Sequence, residues 1–513
     1  MNETDREVIE SLFRQFITSY EEHPFFTDLQ KAHQISTAYE NKYQRNTPSL
    51  NLNNQNKTKN RNHNNNSPLQ EQECSLQNIH PATADELKEL VRVVSSPHSH
   101  DDITQVFHHF WNLSLPDTLQ YDEESYLDTI KKEKKDYPGQ VNILIQGGGP
   151  AGLFALNYLL QTYPTPDANR APRATKNRKH IPRVRCLLVE SRIQQPHYRM
   201  PFIRSRPFAF GTEYFSFVLP GIYCARPQET NREYSMMVEI RYLELMLYAQ
   251  AYRRDFPMLF SNQYATWDSI QSLMRKGAFD VLIDATGGRI KDINLPRTPI
   301  PRSHSLWVSE YLKKQNLING GRNGNATIRE GVELRVEPRQ NRAILVPKKG
   351  HTSEEFGQYF IFSEIVNDEG IPEGRMDARV DHPADREWIE EHLHGKCLLV
   401  RDVLRVVPRA FQKNQGRDTL RGRFASLREY PPDARVRFWL LRMDLQHALQ
   451  ITDSFKIGKR DCLYVGIGDS IFQSHFVVGA GLGRMIPLTA RILNYIPPAF
   501  FKNHQDKTRK RKK

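Results

Sequence analysis

Apolar positions recur at helical spacing in the first part of the chain. Over residues 8–20 they fall every three to four positions, which is the stripe of an amphipathic helix. A second helix is predicted after Thr83, because Thr83 and Glu86 have the spacing of a capping box and an apolar pattern follows them. We predict further helices over 102–113 and 122–135, so this part of the chain is expected to be mainly helical.

A polar tract rich in asparagine separates the first of these helices from the second. Residues 41–66 contain eleven asparagines, and such a segment has too little apolar surface to offset the entropy that is lost on ordering. We therefore predict a helical prefix at 1–45, a disordered linker at 46–80 and a second helical segment at 81–138.

From residue 141 onwards the pattern changes to short apolar strands that alternate with helices. The run 141–145 is typical of a buried parallel strand, and a Gly-rich turn and an apolar helix follow it at once. A second strand ends at Glu190, and the basic stretch 162–183 is predicted to loop out before it. This order of elements predicts an α/β fold with a Rossmann-like dinucleotide-binding domain.

The Gly-rich turn, Gly147-Gly-Gly-Pro-Ala-Gly152, has the glycine spacing of a dinucleotide-binding fingerprint. Gly147 permits the tight turn, Gly149 lets the backbone approach a pyrophosphate, and Gly152 lets the helix pack closely on the strand. The helix N-terminus would offer N–H groups to the phosphates, and Glu190 is placed to accept the adenosine ribose hydroxyls. A Gly-rich turn that binds no nucleotide is the alternative interpretation.

Two later segments favour FAD over NAD as the dinucleotide. One strand runs into a turn at Gly287, and another ends at Gly468-Asp469, shortly before Gly479-Ala-Gly481 opens the last helix. A flavin is long, and its ribityl chain needs a carboxylate partner, which we expect to be Asp469. The N-terminus of the last helix would stabilise negative charge on the reduced ring.

These motifs resemble the single-component FAD-dependent monooxygenases of the aromatic-hydroxylase type, and within that group most of all the flavin domain of the MICAL proteins. The resemblance covers roughly residues 140–290 and 435–495. It implies an antiparallel-sheet substrate domain beside the FAD-binding domain. It also implies two further cofactor-binding residues, Arg192 after the second strand and Arg241 in a later helix.

The resemblance also implies an activity. Enzymes of this kind use NAD(P)H and insert one oxygen atom by way of a flavin hydroperoxide, so FAD is the expected cofactor and NAD(P)H the expected co-substrate. The substrate would be a small aromatic or polyketide-like molecule or, by the MICAL likeness, a protein methionine. Arg199 and His475 are the candidates for side chains at the flavin. Thr286 stands where the family has the aspartate of an Asp-Gly turn that helps to hold both nucleotides.

Two other functions remain open at this stage. The chain could be another flavin enzyme on the same scaffold, such as an oxidase, a dehydrogenase or a halogenase-like protein. It could also be a flavoprotein that acts mainly by binding a partner through the helical prefix and the basic segments. Intact FAD without NAD(P)H turnover would favour this last function.

The net charge of +13 comes almost entirely from two basic segments. Residues 162–185 and 502–513 each carry seven Lys or Arg against one Asp, which gives 14 − 2 = +12. The remainder is close to neutral, so the charge does not predict a nucleic-acid-binding face.

The five cysteines and the hydropathy profile add three negative expectations. The cysteines are far apart and lack zinc-ligand spacing, so we expect reduced thiols and no metal site. No apolar run reaches the length of a membrane helix, and the polar N-terminus has no features of a secretory signal. A cytoplasmic location is therefore expected.

The second part of the chain is predicted to contain two parts of an FAD-binding domain that enclose a substrate domain. The predicted division is 139–290 for the first part of the FAD-binding domain, 291–460 for the substrate domain, 461–498 for the return to the FAD-binding domain and 499–513 for a basic tail. Strands are predicted in the substrate domain at 333–336, 342–346, 359–366, 397–407 and 435–441.

Overall fold

The structure of the chain is a computed structural model. It describes residues 3–21, 80–95, 113–114, 123–163, 182–190, 203–204, 237–238, 240–252, 258–260, 262–293, 332–337, 342–347, 358–366, 372–380, 383–407, 420–443, 446–448, 450–473 and 480–512. Most of the predicted linker, most of the basic insert and the helix expected over 102–112 lie outside the described residues. The predicted domain boundaries remain predictions.

The described elements alternate between helices and strands along most of the chain. The helices are α1 (Glu3–Glu21), α2 (Ala84–Ser95), α3 (Glu123–Asp136), α4 (Pro150–Thr162), α5 (Ile240–Tyr252), α6 (Trp267–Lys276), α7 (Pro383–His392), α8 (Val400–Val406), α9 (Leu420–Ser426) and α10 (Ala480–Lys512), with 3-10 turns at Asn262–Tyr264, Leu427–Glu429 and Gly468–Ser470. The strands are β1 (His80–Pro81), β2 (Leu113–Ser114), β3 (Val141–Gln146), β4 (Val184–Glu190), β5 (Ile203–Arg204), β6 (Met237–Val238), β7 (Met258–Phe260), β8 (Val281–Asp284), β9 (Val332–Glu337), β10 (Arg342–Pro347), β11 (Gln358–Val366), β12 (Pro372–Val380), β13 (Cys397–Leu399), β14 (Arg435–Met443), β15 (Gln446–Ala448), β16 (Thr452–Ile457), β17 (Arg460–Gly466) and β18 (Phe472–Gln473).

The centre of the fold is a six-stranded sheet with the strand order β16-β17-β8-β3-β4-β7. Neighbouring strands run parallel, except that β16 and β17 form an antiparallel pair at one edge. All residues of β3 are buried, as expected for a parallel strand covered on both faces. The parallel sheet confirms the predicted α/β fold with a Rossmann-like domain.

Alternate residues of β3 enter two different hydrophobic cores. Ile143 and Ile145 pack with residues of α4, α5 and α10, whereas Leu144 packs with residues of α3 and α6. Because helices cover both faces of the sheet, a ligand has access to the loops at its carboxyl edge rather than to its faces.

Helix α1 is an integral part of the first of these cores. Ile9 and Phe13 are fully buried in it. Between them Glu10 reaches β16, where its carboxylate accepts hydrogen bonds from the backbone N–H of Ile451 at 3.0 Å and of Thr452 at 2.7 Å, and from the Thr452 hydroxyl at 2.6 Å. Ile9 and Phe13 of the apolar stripe predicted in this region therefore pack against the sheet domain.

The second helical segment agrees with the sequence pattern at most positions. Thr83 and Glu86 form the predicted capping box, with the Thr83 N–H donating to the Glu86 carboxylate at 2.8 Å and the Glu86 N–H donating to the Thr83 hydroxyl at 3.3 Å. Helix α3 confirms the helix predicted over 122–135. The prediction was wrong at Leu113, which belongs to β2 and pairs in parallel with β1, because a two-residue strand carries no periodicity of its own.

Two antiparallel sheets follow in the middle of the chain, with the orders β12-β11-β14-β13 and β18-β15-β10-β9. Helices α7, α8 and α9 build a separate hydrophobic core on the first of them. The antiparallel sheet that the family resemblance implies is therefore present.

Two details of this region differ from the sequence prediction. The predicted strand 397–407 is a short strand followed by helix α8, in which Val400 and Val403 are buried, and the C-cap Val407 is buried one turn later. Strand β12 was not predicted because four charged residues interrupt its apolar pattern, and it lies at a sheet edge where such residues are tolerated.

The last helix is longer than predicted. The sequence indicated a helix from Leu482 to Leu493 and a basic tail after 498, whereas α10 continues to Lys512. Buried Ile496 and Ala499 extend its apolar face beyond the predicted end.

The three cysteines in the described ranges are of two kinds. Cys186 and Cys462 are buried free thiols, as expected, and burial raises the pKa of Cys462 to about 11. Cys397 is disulfide-bonded, which corrects the expectation that every cysteine is reduced. The spacing of isolated cysteines contains no information on which of them come together in the fold.

Neither a membrane-spanning helix nor a cluster of metal ligands occurs in the described ranges. Within them, no helix is both long and apolar enough to cross a membrane. Within the same ranges, no three His, Cys, Asp or Glu side chains are grouped as metal ligands would be.

We predict that Phe13→Ala destabilises the sheet domain. Truncating a fully buried phenylalanine costs about 3–5 kcal/mol, because the transfer free energy is lost and a cavity remains. The measurement is the urea unfolding of Phe13→Ala beside Val8→Ala, a matched control on the partly exposed side of the same helix. Equal stability of the two variants would contradict the docking of α1.

A second prediction concerns the pH dependence of this contact. Burial raises the pKa of Glu10 to about 7, against the pull of its hydrogen bonds from Thr452 and Ile451 and of the Arg14 charge. A carboxyl whose pKa is raised on folding contributes stability below its unfolded pKa and loses it as the pH rises through the folded value. Glu10→Gln should therefore reduce the fall in unfolding free energy between about pH 5 and pH 7 by about 1–3 kcal/mol.

The control for this experiment is Glu3→Gln, an exposed position on the same helix. Burial also raises the pKa of the neighbouring Asp453 to about 6, opposed by the Arg6 charge, so part of the pH dependence should persist in Glu10→Gln. The same pH slope in the wild type, Glu10→Gln and Glu3→Gln would show that Glu10 does not titrate between its folded and unfolded values.

Candidate functional site

The predicted motifs meet at the carboxyl edge of the central sheet. The Gly-rich turn follows β3, Glu190 ends β4, the Gly287 turn follows β8, and Gly468-Asp469 follows β17. In open α/β sheets, ligands bind in the crevice outside the carboxyl ends of the strands. The fold therefore assembles one candidate site from four separate parts of the sequence.

Two glycines of the Gly-rich turn are required by the geometry of the backbone. Gly147 has φ +106°, a conformation that other residues rarely adopt, and a Cβ there would lie 2.7 Å from the carbonyl oxygen of Ala285. A Cβ on Gly152 would lie 1.9 Å from the carbonyl oxygen of Gly147. The turn and the close packing of α4 on β3 thus depend on glycine at both positions, as predicted.

The N-terminus of α4 has the features of an anion-binding end. Gly149 is its N-cap, Pro150 opens the helix, and no described side chain caps it. Leu153 is the first residue whose N–H donates to a turn carbonyl, that of Gly149 at 3.0 Å. The N–H groups of Ala151 and Gly152 come before the first hydrogen bond of the helix. They can therefore donate to another acceptor, such as a phosphate.

Glu190 is bound to this turn. It is 3% exposed, and its Oε2 accepts a hydrogen bond from the N–H of Gly148 at 2.7 Å. A Cβ on Gly148 would lie 2.9 Å from the same oxygen, so a larger residue there would displace the Glu190 side chain. The contact orients the carboxylate beside the Gly-rich turn, where the sequence predicted an acid for a ribose.

The two later motifs touch the Gly-rich turn and each other. Gly468 has φ +59°, and a Cβ there would lie 2.7 Å from the Cβ of Ala151 in the first turn of α4. A Cβ on Gly287 would lie 3.6 Å from the Cβ of Asp469. Asp469 itself is exposed. The close contacts at Gly147, Gly287 and Gly468 show that all three motifs converge, although more than 300 residues separate the first from the last.

A buried aspartate beneath these turns was missed by the sequence analysis. Asp284, at the end of β8, accepts hydrogen bonds from Thr286, Tyr464 and Ser470. The signal was available, because an acid at the end of an apolar strand is the feature that identified Glu190. Its partners could not be predicted, since Tyr464 and Ser470 are distant in sequence.

Several predicted site residues remain predictions. Arg192, Arg199, His475 and Gly479 lie outside the described residues. Arg241 is the second residue of α5, and its side chain is not described.

The glycine pair of the last helix is partly placed. Gly481 lies in the first turn of α10, which begins at Ala480, directly after Gly479 as predicted. The helix N-terminus that we expect at the flavin ring therefore exists in the structure, at Ala480.

Comparisons with known proteins give structural similarities alone. No protein-family model matches the chain, and no curated protein matches it. Among solved structures, it is similar to a p-nitrophenol 4-monooxygenase from Pseudomonas putida with a TM-score of 0.33 and 10% identity, over 72% of this chain and 81% of the other.

Two further structures have comparable values. A flavoprotein/dehydrogenase from Cytophaga hutchinsonii has a TM-score of 0.32 and 9% identity, over 71% of this chain and 79% of the other. The flavin-dependent halogenase CmlS has a TM-score of 0.31 and 10% identity, over 71% of this chain and 59% of the other. None of these three is a MICAL protein, and TM-scores this low leave the assignment of the site to the geometry described above.

We predict that Gly149→Val separates binding from folding. Gly149 has φ −73° and ψ −179°, extended backbone that any residue adopts, so the variant should keep a melting temperature close to that of the wild type. A side chain at this position should keep a pyrophosphate from the helix N-terminus and weaken dinucleotide binding by about tenfold or more. FAD content after purification and a melting curve measure the two effects.

Gly152→Val is the matched control in the same turn. Its Cβ would overlap the Gly147 carbonyl, so this variant should lose stability as well as dinucleotide. If Gly149→Val bound FAD as tightly as the wild type, the helix N-terminus would not be the phosphate site.

Proposed function

We propose that this chain is a FAD-dependent oxidoreductase that binds FAD at the carboxyl edge of its central sheet. The observation that carries the proposal is the convergence of the Gly-rich turn, the Gly287 turn and the Gly468-Asp469 segment on one another. A Gly-rich turn alone serves many dinucleotides. The two additional segments lengthen the site, as a flavin dinucleotide requires.

The residues present fit such a cofactor. The uncapped N-terminus of α4 suits the pyrophosphate, and the Glu190 carboxylate beside it suits the ribose hydroxyls. The exposed Asp469 suits the ribityl chain, and the N-terminus of α10 near Gly481 suits the pyrimidine end of the ring. Arg192, Arg241 and Gly479 complete the proposed set on the strength of the sequence resemblance.

Gly287 belongs to the predicted cofactor-binding set, and we propose that it contributes indirectly. Its N–H donates to the hydroxyl of Ser470 at 2.9 Å, so this group is already used within the protein. With φ +72° and Asp469 close by, Gly287 acts through its shape. It lets the turn lie against the segment that carries the carboxylate, instead of donating to the cofactor itself.

We further propose that the enzyme is an NAD(P)H-using monooxygenase. Bound FAD would supply the redox and oxygen chemistry, and the chain would bind it, orient it and keep water from it. One dinucleotide fingerprint in the whole sequence supports this class, because a co-substrate that only visits the flavin needs no Rossmann domain of its own. The proposed substrate domain is 291–460, which holds most strands of the two antiparallel sheets, and the substrate would be a small molecule or a protein side chain.

The alternative of a partner-binding flavoprotein has less support than it had from the sequence. That function relied on the apolar stripe of the helical prefix, but Ile9 and Phe13 of α1 are buried against the sheet domain of the same chain. These two residues of the stripe are thus already covered.

We predict that purified protein is yellow and releases FAD on denaturation. Addition of NADPH under nitrogen should bleach the flavin slowly in the absence of substrate, because Thr286 replaces the acidic residue expected to help capture the nucleotide. Admission of air should restore the colour. Absorption spectra recorded before and after each addition test the sequence of events, with dithionite as the control for a reducible flavin.

Each other outcome assigns the chain differently. Bleaching by an organic substrate but never by NADPH or NADH would indicate an oxidase or dehydrogenase. A colourless protein that takes up no FAD on reconstitution would overturn the proposed function as a whole.

A further inference from the structure

The carboxylate of Asp284 is the centre of a hydrogen-bonded cluster beneath the candidate site. Asp284 is 1% exposed. Its Oδ1 accepts hydrogen bonds from the Thr286 N–H at 2.9 Å, from the Thr286 hydroxyl at 2.7 Å and from the Ser470 hydroxyl at 3.0 Å. Its Oδ2 accepts one from the Tyr464 hydroxyl at 2.7 Å. Four donors from three residues are thus directed at a single side chain.

The contact with Asp284 determines how the Ser470 hydroxyl is used. A serine hydroxyl has one proton, and Ser470 donates it to Asp284. Its oxygen then accepts hydrogen bonds from the backbone N–H of Gly287 at 2.9 Å and of Gly288 at 3.1 Å. The bond to the carboxylate thus keeps the lone pairs of this oxygen directed at the two N–H groups.

These bonds join the turn after β8 to the segment after β17. Asp284 and Thr286 belong to the turn, Tyr464 and Ser470 flank Gly468-Asp469, and the Ile467 N–H donates to the backbone carbonyl of Asp284 at 2.9 Å. The exposed Asp469 lies one residue before Ser470. The backbone that carries Asp469 is therefore held by a residue that is itself buried.

The cluster also accounts for a departure from the family pattern. Thr286 stands where the resemblance leads one to expect an aspartate, so the turn itself carries no acid at this point. Here Asp284, two residues earlier, accepts hydrogen bonds from the N–H and the hydroxyl of Thr286. The negative charge is then inside the protein and organises the turn, instead of facing a ligand.

We propose that Asp284 is a positioning residue for FAD, which acts through Ser470 and the Gly287-Gly288 N–H groups to hold Asp469 at the ribityl chain. The proposal rests on the proposed function, since it names FAD as the group that Asp469 binds. Asp284 does not contact the cofactor. It affects FAD binding by fixing the distance between the turn after β8 and the segment after β17.

Asp280, which directly precedes β8, provides a matched control at the opposite end of that strand. It is also nearly buried, accepts a hydrogen bond from the Asn142 N–H at 2.9 Å and pairs with Lys134. Its carboxylate lies at the amino edge of the sheet, remote from the turns. Loss of Asp280 should therefore destabilise the fold without changing the arrangement of the site.

The experiment measures FAD dissociation constants and melting temperatures for the wild type, Asp284→Ala, Asp284→Asn, Ser470→Ala and Asp280→Ala. We expect Asp284→Ala and Ser470→Ala to raise the dissociation constant about tenfold or more, because each leaves buried groups of the two turns unpaired. Asp280→Ala should lower the melting temperature but change the dissociation constant less than about threefold.

Asp284→Asn separates positioning from general destabilisation. Its amide oxygen can keep the bonds from Thr286 and Ser470, and Tyr464 can turn its hydroxyl to accept from the amide nitrogen. This variant should therefore retain FAD within about threefold of the wild-type affinity. Equal loss of FAD in Asp284→Asn and Asp284→Ala would overturn the hydrogen-bonding role.

Amide hydrogen exchange of the FAD-free protein provides a second readout. If the cluster holds the turn, Ser470→Ala should accelerate exchange at Gly287 and Gly288, and Asp280→Ala should leave those two amides protected. Unchanged exchange in Ser470→Ala would overturn the proposal at its first step.

The outcomes distinguish failure of the proposal from failure of the proposed function. A wild-type protein that binds FAD and an Asp284→Ala variant that binds it equally well would overturn the positioning role alone. A folded wild-type protein that binds no FAD would overturn the proposed function, and with it the statement that Asp284 acts on FAD binding.

Discussion

The candidate site depends on the close approach of α4 to the end of β3. A single Cβ at Gly152 would overlap the backbone oxygen of Gly147, so the contact exists only because neither residue has a side chain. This approach brings the first turn of α4 to the carboxyl edge of the sheet, where Gly468 packs against Ala151. The Gly468-Asp469 segment, from the far end of the sequence, packs on this fixed first turn of α4. The rest of the site is arranged around that contact.

Features encoded over short stretches of sequence were predictable. Strand β3, the Gly-rich turn and helix α4 follow one another within about 20 residues, and each has a pattern that requires no knowledge of the rest of the fold. Glu190 at the end of β4 was found for the same reason. The capping box at Thr83 and Glu86 is likewise a contact between near neighbours, so spacing alone predicted it.

Features that depend on distant residues were not predictable from one sequence. Asp284 and Tyr464 are 180 positions apart, and Glu10 and Ile451 are 441 apart, so no local pattern indicates that they meet. The disulfide at Cys397 is of the same kind. In each case the sequence shows a polar or reactive group without showing its partner, and the role of the group changes once the partner is known.

The docking of α1 has a consequence for how the chain folds. Its Asp5 accepts hydrogen bonds from Tyr495 and Asn503 of α10, across 490 and 498 positions of sequence. During synthesis α1 is made well before α10, and the surface that buries Ile9 and Phe13 is complete only when α10 has left the ribosome. Contacts of such high sequence separation form late, so Ile9 and Phe13 stay exposed in the nascent chain until α10 has been made.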